Sequence, residues 1–304
     1  MTRREIVARL QGIFLPAVTP FDRRKDVDLG LFRENLQRYT GLGLAGIVIA
    51  GSTGEAPFLT ERERLRLVEV ARAVVRPPEL LIVGTGLEST LLTLRLSREA
   101  VARGADAILI VTPNYYKSRM DSAALTTHFQ VLADGLRRPV IMYNIPQFTG
   151  IRMDPETIGR LSRYSNIAAL KESSGDLAYV RAILRRVRPG FPLLVGSPPL
   201  LLDALRAGAA GGVLGLAGLV PEICLAVYEA FRKRRMKTAR DFQQRLTLLA
   251  RKIAAPYGIA GVKAAVEFCG YGAGPPRGPL LPLNASGRRA VAAALREARA
   301  GLEF

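Results

Sequence analysis

The sequence predicts an α/β fold, a (β/α)8 TIM barrel followed by a C-terminal helical extension. Eight short, near-continuously apolar runs, at 13–19, 46–50, 80–84, 107–111, 140–144, 167–171, 193–196 and 212–216, alternate with longer helical patterns. Runs of that kind are strands covered on the outside by helices. No G-x-G-x-x-G follows the first run, so an open dinucleotide-binding sheet has no support. The length of 304 residues suits a barrel, which takes about 250, plus an extension.

Helix boundaries between the runs carry their own signals. Thr60 and Glu63 read as a T-x-x-E capping box ahead of an amphipathic stretch. Asp154 is placed to cap a helix whose first position is Pro155. Gly43, Gly104 and Gly208 each stand where a helix ends just before the next strand. Beyond Pro221 the strand signal stops, and helices are expected at 221–233, 238–255, 259–269 and 286–301, with a loop at 272–276. The expected division is a catalytic barrel over 1–220 and a helical extension packed on it over 221–304.

Composition excludes several classes. With 49% apolar and 23% charged residues the chain is globular rather than disordered. No apolar run reaches the ~18–20 residues of a membrane helix, and the early apolar run is broken by Pro16, which argues against a signal peptide. The expectation is therefore a cytoplasmic protein with no membrane partner. Cys224 and Cys269 form no CxxC pair and read as small apolar residues in a reducing compartment. The net charge of +18 comes from arginines spread over most helices and mixed with glutamates, as in Glu61-Arg62-Glu63-Arg64. The one dense run, Arg232 to Arg235, falls at a helix end, where cations complement the dipole. A field that attracts small anions is the simpler reading than a nucleic-acid surface.

In a barrel the working residues sit at the C-terminal ends of strands. Four candidates meet that rule. Gly51-Ser52-Thr53-Gly54-Glu55 follows the second strand; it is either an anion nest with two hydroxyls or a plain strand-to-helix turn. Tyr115 and Tyr116, after the fourth strand, offer a phenol for proton relay, or apolar packing, or an interface patch. Tyr143, ending the fifth, is an inward proton donor and acceptor or a core tyrosine. Lys171 ends the sixth, where an amine either snorkels to solvent or is desolvated into a nucleophile. Together they supply what carbonyl chemistry requires: an amine, a phenol, hydroxyls and an anion nest. The single histidine, His128, lies in a helical pattern without a companion ligand, so neither a metal nor an organic cofactor is expected.

Five motifs carry a family resemblance: LPAVTPF at 15–21, GSTGE at 51–55, TPNYY at 112–116, YNIP at 143–146 and KESSGD at 171–176. In order and spacing the chain resembles the dihydrodipicolinate synthase / N-acetylneuraminate lyase family of class I aldolases. The resemblance implies Lys171 as the Schiff-base lysine and Tyr143 as the proton donor and acceptor beside it. It implies Ser52 and Thr53 as holders of the keto-acid carboxylate, with Ser52 also in a proton relay that Tyr115 completes from a neighbouring subunit. Ser173, Gly196 and Leu214 fall where the family lines its substrate pocket. Pyruvate and an aldehyde as substrates, and a homotetramer built as a dimer of dimers, are implied in the same way.

One position departs from the pattern. Dihydrodipicolinate synthases resemble Y-N-x-P-x-R-T-G, with an arginine for the substrate carboxylate, whereas this chain has Phe148 there. Arg152 is the sequence-close arginine that stands as a candidate to replace it. The segments at 84–90, 115–125 and 257–263, and Gly270-Tyr271-Gly272, look closer to the 4-hydroxy-2-oxoglutarate aldolase branch. The expected reaction is cleavage of 4-hydroxy-2-oxoglutarate to pyruvate and glyoxylate. The alternatives are condensation of pyruvate with aspartate semialdehyde, a sugar-derived keto acid as substrate, or a barrel repurposed for binding a ligand or nucleic acid.

Overall fold

The computed structural model describes residues 1–301. Eight parallel strands close into a barrel in chain order: β1 (Gly12–Pro16), β2 (Gly46–Ile49), β3 (Leu80–Gly84), β4 (Ala107–Val111), β5 (Val140–Asn144), β6 (Ile167–Glu172), β7 (Leu193–Val195) and β8 (Gly211–Val213). Closure is made by β1 on β8, with Gly12 opposite Gly211 and Phe14 opposite Val213. The eight expected runs all become strands, three of them with identical limits. β1 ends at Pro16 rather than at residue 19, because Thr19 turns its hydroxyl onto the Gly54 carbonyl (2.7 Å) instead of continuing the ladder. β8 stops at Val213, and Gly215–Gly218 winds into a 3₁₀ turn.

The barrel interior is a packed core. Phe14, Val48, Ile82, Leu109, Ile141 and Leu194 meet in it, as inward positions on alternating strands should. The bottom is plugged by a short helix, Arg3–Ala8, which contributes Ile6, with Leu10 following it; both are buried in the same cluster. Thr2 and Glu5 cap that helix reciprocally, a capping box the sequence reading passed over. A larger apolar core lies between the strands and the outer helices.

The boundary signals have the expected physical form. Glu63 N–H donates to Thr60 Oγ1 (3.2 Å) while Thr60 N–H donates to Glu63 Oε2 (2.8 Å), opening the helix Glu61–Val74. Asp154 caps Pro155–Ser162 through Thr157 N–H. In the tail, Pro221–Arg232 packs against β1. Met236–Leu249 then passes through a wider turn into Ala255–Phe268, which is interrupted at Gly258 (φ 51°, ψ −138°), and Ala285–Arg299 follows. The interruption falls where the sequence separates its second and third tail helices. The expected extension runs to residue 304; its last three residues lie outside those described. Among the described residues no helix is long and apolar enough to cross a membrane.

The strand ends around the mouth approach one another closely. A Cβ on Gly84 would stand 2.0 Å from the Ala50 carbonyl oxygen, at the entrance to the loop after β2. Backbone cannot yield there as a side-chain tip can. Gly84→Ala is therefore expected to cost about 1–3 kcal/mol of stability. Urea unfolding monitored by circular dichroism checks this; an unchanged midpoint would contradict the close approach.

Candidate active site

The site begins with a strand register. β5 and β6 pair so that Tyr143 lies opposite Lys171 and Asn144 opposite Glu172. Successive side chains alternate between faces, so the first pair shares one face and the second pair the other. Lys171 Nζ lies 3.9 Å from the centroid of the Tyr143 ring, and both residues are buried. On the other face Asn144 Nδ2 donates to Glu172 Oε1 (3.2 Å), which also accepts from Ser174 N–H (2.6 Å). Asn144 Oδ1 accepts from Met153 N–H (3.0 Å). Burial raises the pKa of Glu172, and its Oε2 has no partner among the described residues. The sequence reading missed this second pair, although period-2 alternation after an inward lysine is the signal that would have found it.

The loop at 51–55 is held in a shape that ordinary residues resist. Ala50 and Glu55 flank it, both with positive φ (49° and 57°). Within it Glu55 N–H returns to Ser52 O and Ala56 N–H to Gly51 O, each at 3.1 Å. Ser52 Oγ lies 3.4 Å from Tyr143 Oη, a long hydrogen bond that links the loop to β5. Thr53 faces the end of β8, its Oγ1 3.5 Å from where a Cβ on Gly215 would sit. Leu214 precedes that glycine and is fully buried.

Ser173 and Gly196 close the other side. Gly196 N–H donates to Glu172 O (2.7 Å), and Ser173 N–H donates to Asn144 O (2.9 Å). A Cβ on Gly196 would stand 1.9 Å from Ser173 Oγ and 3.4 Å from Lys171 Cε. Lys171, Tyr143, Ser52, Ser173 and Gly196 are thus brought together. Tyr115 is not: its ring is 77% exposed and packs edge-on against Tyr116 at 5.1 Å. Its backbone N–H and that of Asn114 are both held by Glu88 Oε2, each at 2.8 Å.

A cavity of about 590 Å³ opens at the strand ends, with Ser52, Thr112, Tyr143 and Phe148 in its wall. That is the size of a small-molecule site. Phe148 is carried on the single helical turn Pro146–Thr149 and is two-thirds exposed. Arg152 does not line this cavity. It donates to Asp176 Oδ2 (2.7 Å) and lies over the Tyr179 ring at 4.0 Å. The guanidinium in the wall is instead that of Arg64, nearly fully buried, which donates to Ala56 O (2.6 Å) and Gly86 O (3.3 Å). Its place in an Arg-Glu repeat made it look like a solvated helix face. His128 is buried away from this group on Ser122–Gly135, with Nδ1 2.8 Å from Thr90 Oγ1. Burial pushes its pKa down to about 4, so it packs as a neutral ring.

The arrangement sets a buried amine against a phenol with a hydroxyl in reach of the phenol; the cavity reaches Tyr143 and Ser52, whereas Lys171, Thr53, Ser173, Gly196 and Leu214 are not in its wall. Gly196 is the tightest point. Gly196→Ala is expected to lower kcat/KM by at least ~tenfold while the protein remains folded, because Ser173 must move beside Lys171. Steady-state kinetics alongside circular dichroism check it, and wild-type kinetics in a folded variant would contradict it.

Comparison with known proteins agrees with this geometry. Residues 9–298 match the dihydrodipicolinate synthetase family. The chain is 36% identical over 274 residues to a 4-hydroxy-tetrahydrodipicolinate synthase of Methanopyrus kandleri, covering 90% of this chain and 91% of that one. It is 34% identical over 293 residues to a probable mitochondrial 4-hydroxy-2-oxoglutarate aldolase of Emericella nidulans, covering 94% and 93%. Among solved structures, a dihydrodipicolinate synthase from Bacillus anthracis superposes with a TM-score of 0.91 at 27% identity, over 97% of this chain and 99% of that one. A match along nearly the whole chain, on a barrel that sets a buried lysine against a tyrosine, shows that the protein belongs to the dihydrodipicolinate synthetase family and is a lyase of the class I aldolase type.

Proposed function

We propose that this aldolase cleaves 4-hydroxy-2-oxoglutarate to pyruvate and glyoxylate, with Lys171 as the Schiff-base residue. The amine of Lys171 adds to the C2 ketone, and Tyr143 gives its proton to the departing hydroxyl, so that loss of water leaves an iminium and a Tyr143 phenolate. Tyr143 takes the proton of the C4 hydroxyl as the C3–C4 bond breaks. The electron pair passes into the iminium to form an enamine, and glyoxylate leaves. Protonation at C3 and hydrolysis release pyruvate and regenerate the amine. The 3.9 Å approach of Lys171 to the Tyr143 ring and the Ser52–Tyr143 hydrogen bond support these roles. Ser52 and Thr53 hold the C1 carboxylate, and Ser173, Gly196 and Leu214 bound the pocket. The exposure of Tyr115 supports its acting in the site of a neighbouring subunit, within a homotetramer.

The observation that carries the substrate assignment is Phe148 at the cavity wall. An arginine there would bind a carboxylate through two parallel hydrogen bonds, whereas phenyl offers apolar surface beside which an unpaired carboxylate is costly. The second carboxylate of 4-hydroxy-2-oxoglutarate has other partners along the same wall. Thr112 Oγ1 is buried without a hydrogen bond, and Arg64 is bonded to carbonyls but to no carboxylate. A second reading, condensation of pyruvate with aspartate semialdehyde, is favoured by the synthase from Methanopyrus kandleri at 36% identity.

Two measurements test the proposal. Borohydride added with pyruvate should fix one reduced pyruvate per chain on the peptide containing Lys171, and Lys171→Ala should lose both adduct and turnover. An adduct on a different lysine would refute the covalent role. On one preparation, kcat/KM for 4-hydroxy-2-oxoglutarate cleavage should exceed that for pyruvate–aspartate semialdehyde condensation by at least ~tenfold, equal to about 1.4 kcal/mol of transition-state binding. Phe148→Arg should narrow the ratio. A preference for aspartate semialdehyde would return the chain to the second reading.

A further inference from the structure

The loop that carries Ser52 and Thr53 ends in Glu55, whose backbone is left-handed and whose side chain is buried. What holds it comes from the far end of the chain. Lys263 Nζ donates to Glu55 Oε1 (2.7 Å), and Arg277 N–H donates to Glu55 Oε2 (2.8 Å). Both side chains of the ion pair are 1% exposed. Lys263 spends its remaining protons on Thr19 O (2.9 Å) and Pro275 O (3.1 Å), so its three donors all have acceptors. Thr19 in turn donates from its hydroxyl to Gly54 O (2.7 Å), which closes a circuit around the loop. The Phe21 ring is in contact with both cations, with Lys263 Nζ 4.4 Å and Arg277 Cζ 4.3 Å from its centroid. Arg277 is itself fixed by Glu63 through two bonds of 2.9 and 2.7 Å.

A buried ion pair is weak evidence for stability, because desolvation offsets most of the attraction; its better-attested use is to fix one arrangement over others. Here the arrangement fixed is that of the loop carrying the hydroxyls of Ser52 and Thr53. We propose that Lys263 and Glu55 are a positioning pair that sets the Ser52–Thr53 loop for the carboxylate of pyruvate. Lys263 stands outside the cavity wall and acts through Glu55, which lies in that wall with its carboxylate turned to Lys263 and the Arg277 N–H. The inference rests on the reading that this loop is the carboxylate holder.

Exchange of the pyruvate C3 protons with deuterated water, followed by NMR, tests it without reference to the aldehyde. The enamine formed on Lys171 must take up a solvent proton at C3, so the exchange rate reports pyruvate capture alone. The double variant Glu55→Gln/Lys263→Met removes both charges and leaves no unpaired ion. It should raise the KM for pyruvate about tenfold with the maximal exchange rate within about threefold of wild type. Arg72→Met breaks the Arg72–Asp106 pair at the opposite end of the barrel and should leave that KM unchanged. Unchanged KM in the double variant overturns the proposal, as does an equal rise in Arg72→Met, which would make the effect one of general stability. Should the double variant not fold, Glu55→Gln alone keeps the shape and must still raise KM about threefold, and wild-type KM there is likewise fatal. Thr53→Val separates the two levels. If it raises KM and the pair variants do not, the positioning role fails alone; if it also leaves KM unchanged, the carboxylate reading of the loop fails.

Discussion

The chemistry of this site depends on a register. Lys171 stands beside Tyr143 because β5 and β6 pair residue for residue at their C-terminal ends. A slip of β6 by one position against β5 would turn Lys171 to the outer face and bring Glu172 inside, separating the amine from Tyr143. The outer pair makes that slip costly. Asn144 and Glu172 bond to each other and to the backbone of Met153 and Ser174, an arrangement that exists in one register only. Gly196 then donates to the Glu172 carbonyl, so β7 is tied to the same point. The reactive groups are positioned less by their own contacts than by polar bonds made behind them.

Two lysines are buried in this chain, and their surroundings differ in kind. Lysine is almost never buried unless paired. Lys263 obeys that rule, with a carboxylate, two carbonyls and an aromatic face around its ammonium. Burial lowers its pKa while Glu55 acts in the opposite direction. Lys171 has the face of Tyr143 for company and a cavity nearby. An amine whose protons were all claimed by acceptors would make a poor nucleophile. The fold thus saturates one lysine to build with it and leaves unsaturated the one we propose as the nucleophile.

Much of this was legible in the residues. The eight apolar runs, the capping box at Thr60, the Asp154–Pro155 helix start and the inward Lys171 are local signals, each within a few residues, and local signals survive folding. That the Ser52 loop and Tyr143 share one end of the barrel followed from the rule that working residues sit at strand ends, while their contact is seen only in the folded chain. The misses are non-local. Nothing near Lys263 says that its partner lies at Glu55, more than two hundred residues earlier in the chain. Arg64 sits in a charged repeat whose exposed members look identical to it, and only the closed barrel shows that this one arginine turns inward to the cavity. Arg152 was near in sequence to the position it was asked to serve, yet Asp176 and the Tyr179 ring hold it elsewhere.

The dependence of the loop at 51–55 on Lys263 and Arg277 has a temporal side. A chain is made from its N-terminus, so the loop leaves the ribosome long before the residues that brace it. A nascent chain that has exposed Lys171 already holds every residue of β1 to β5 and the amine itself. It lacks Lys263, whose ammonium holds the Glu55 carboxylate, and Arg277, whose backbone N–H does the same. The grip proposed for the Ser52–Thr53 loop is therefore complete only once residues 263 and 277 have been made.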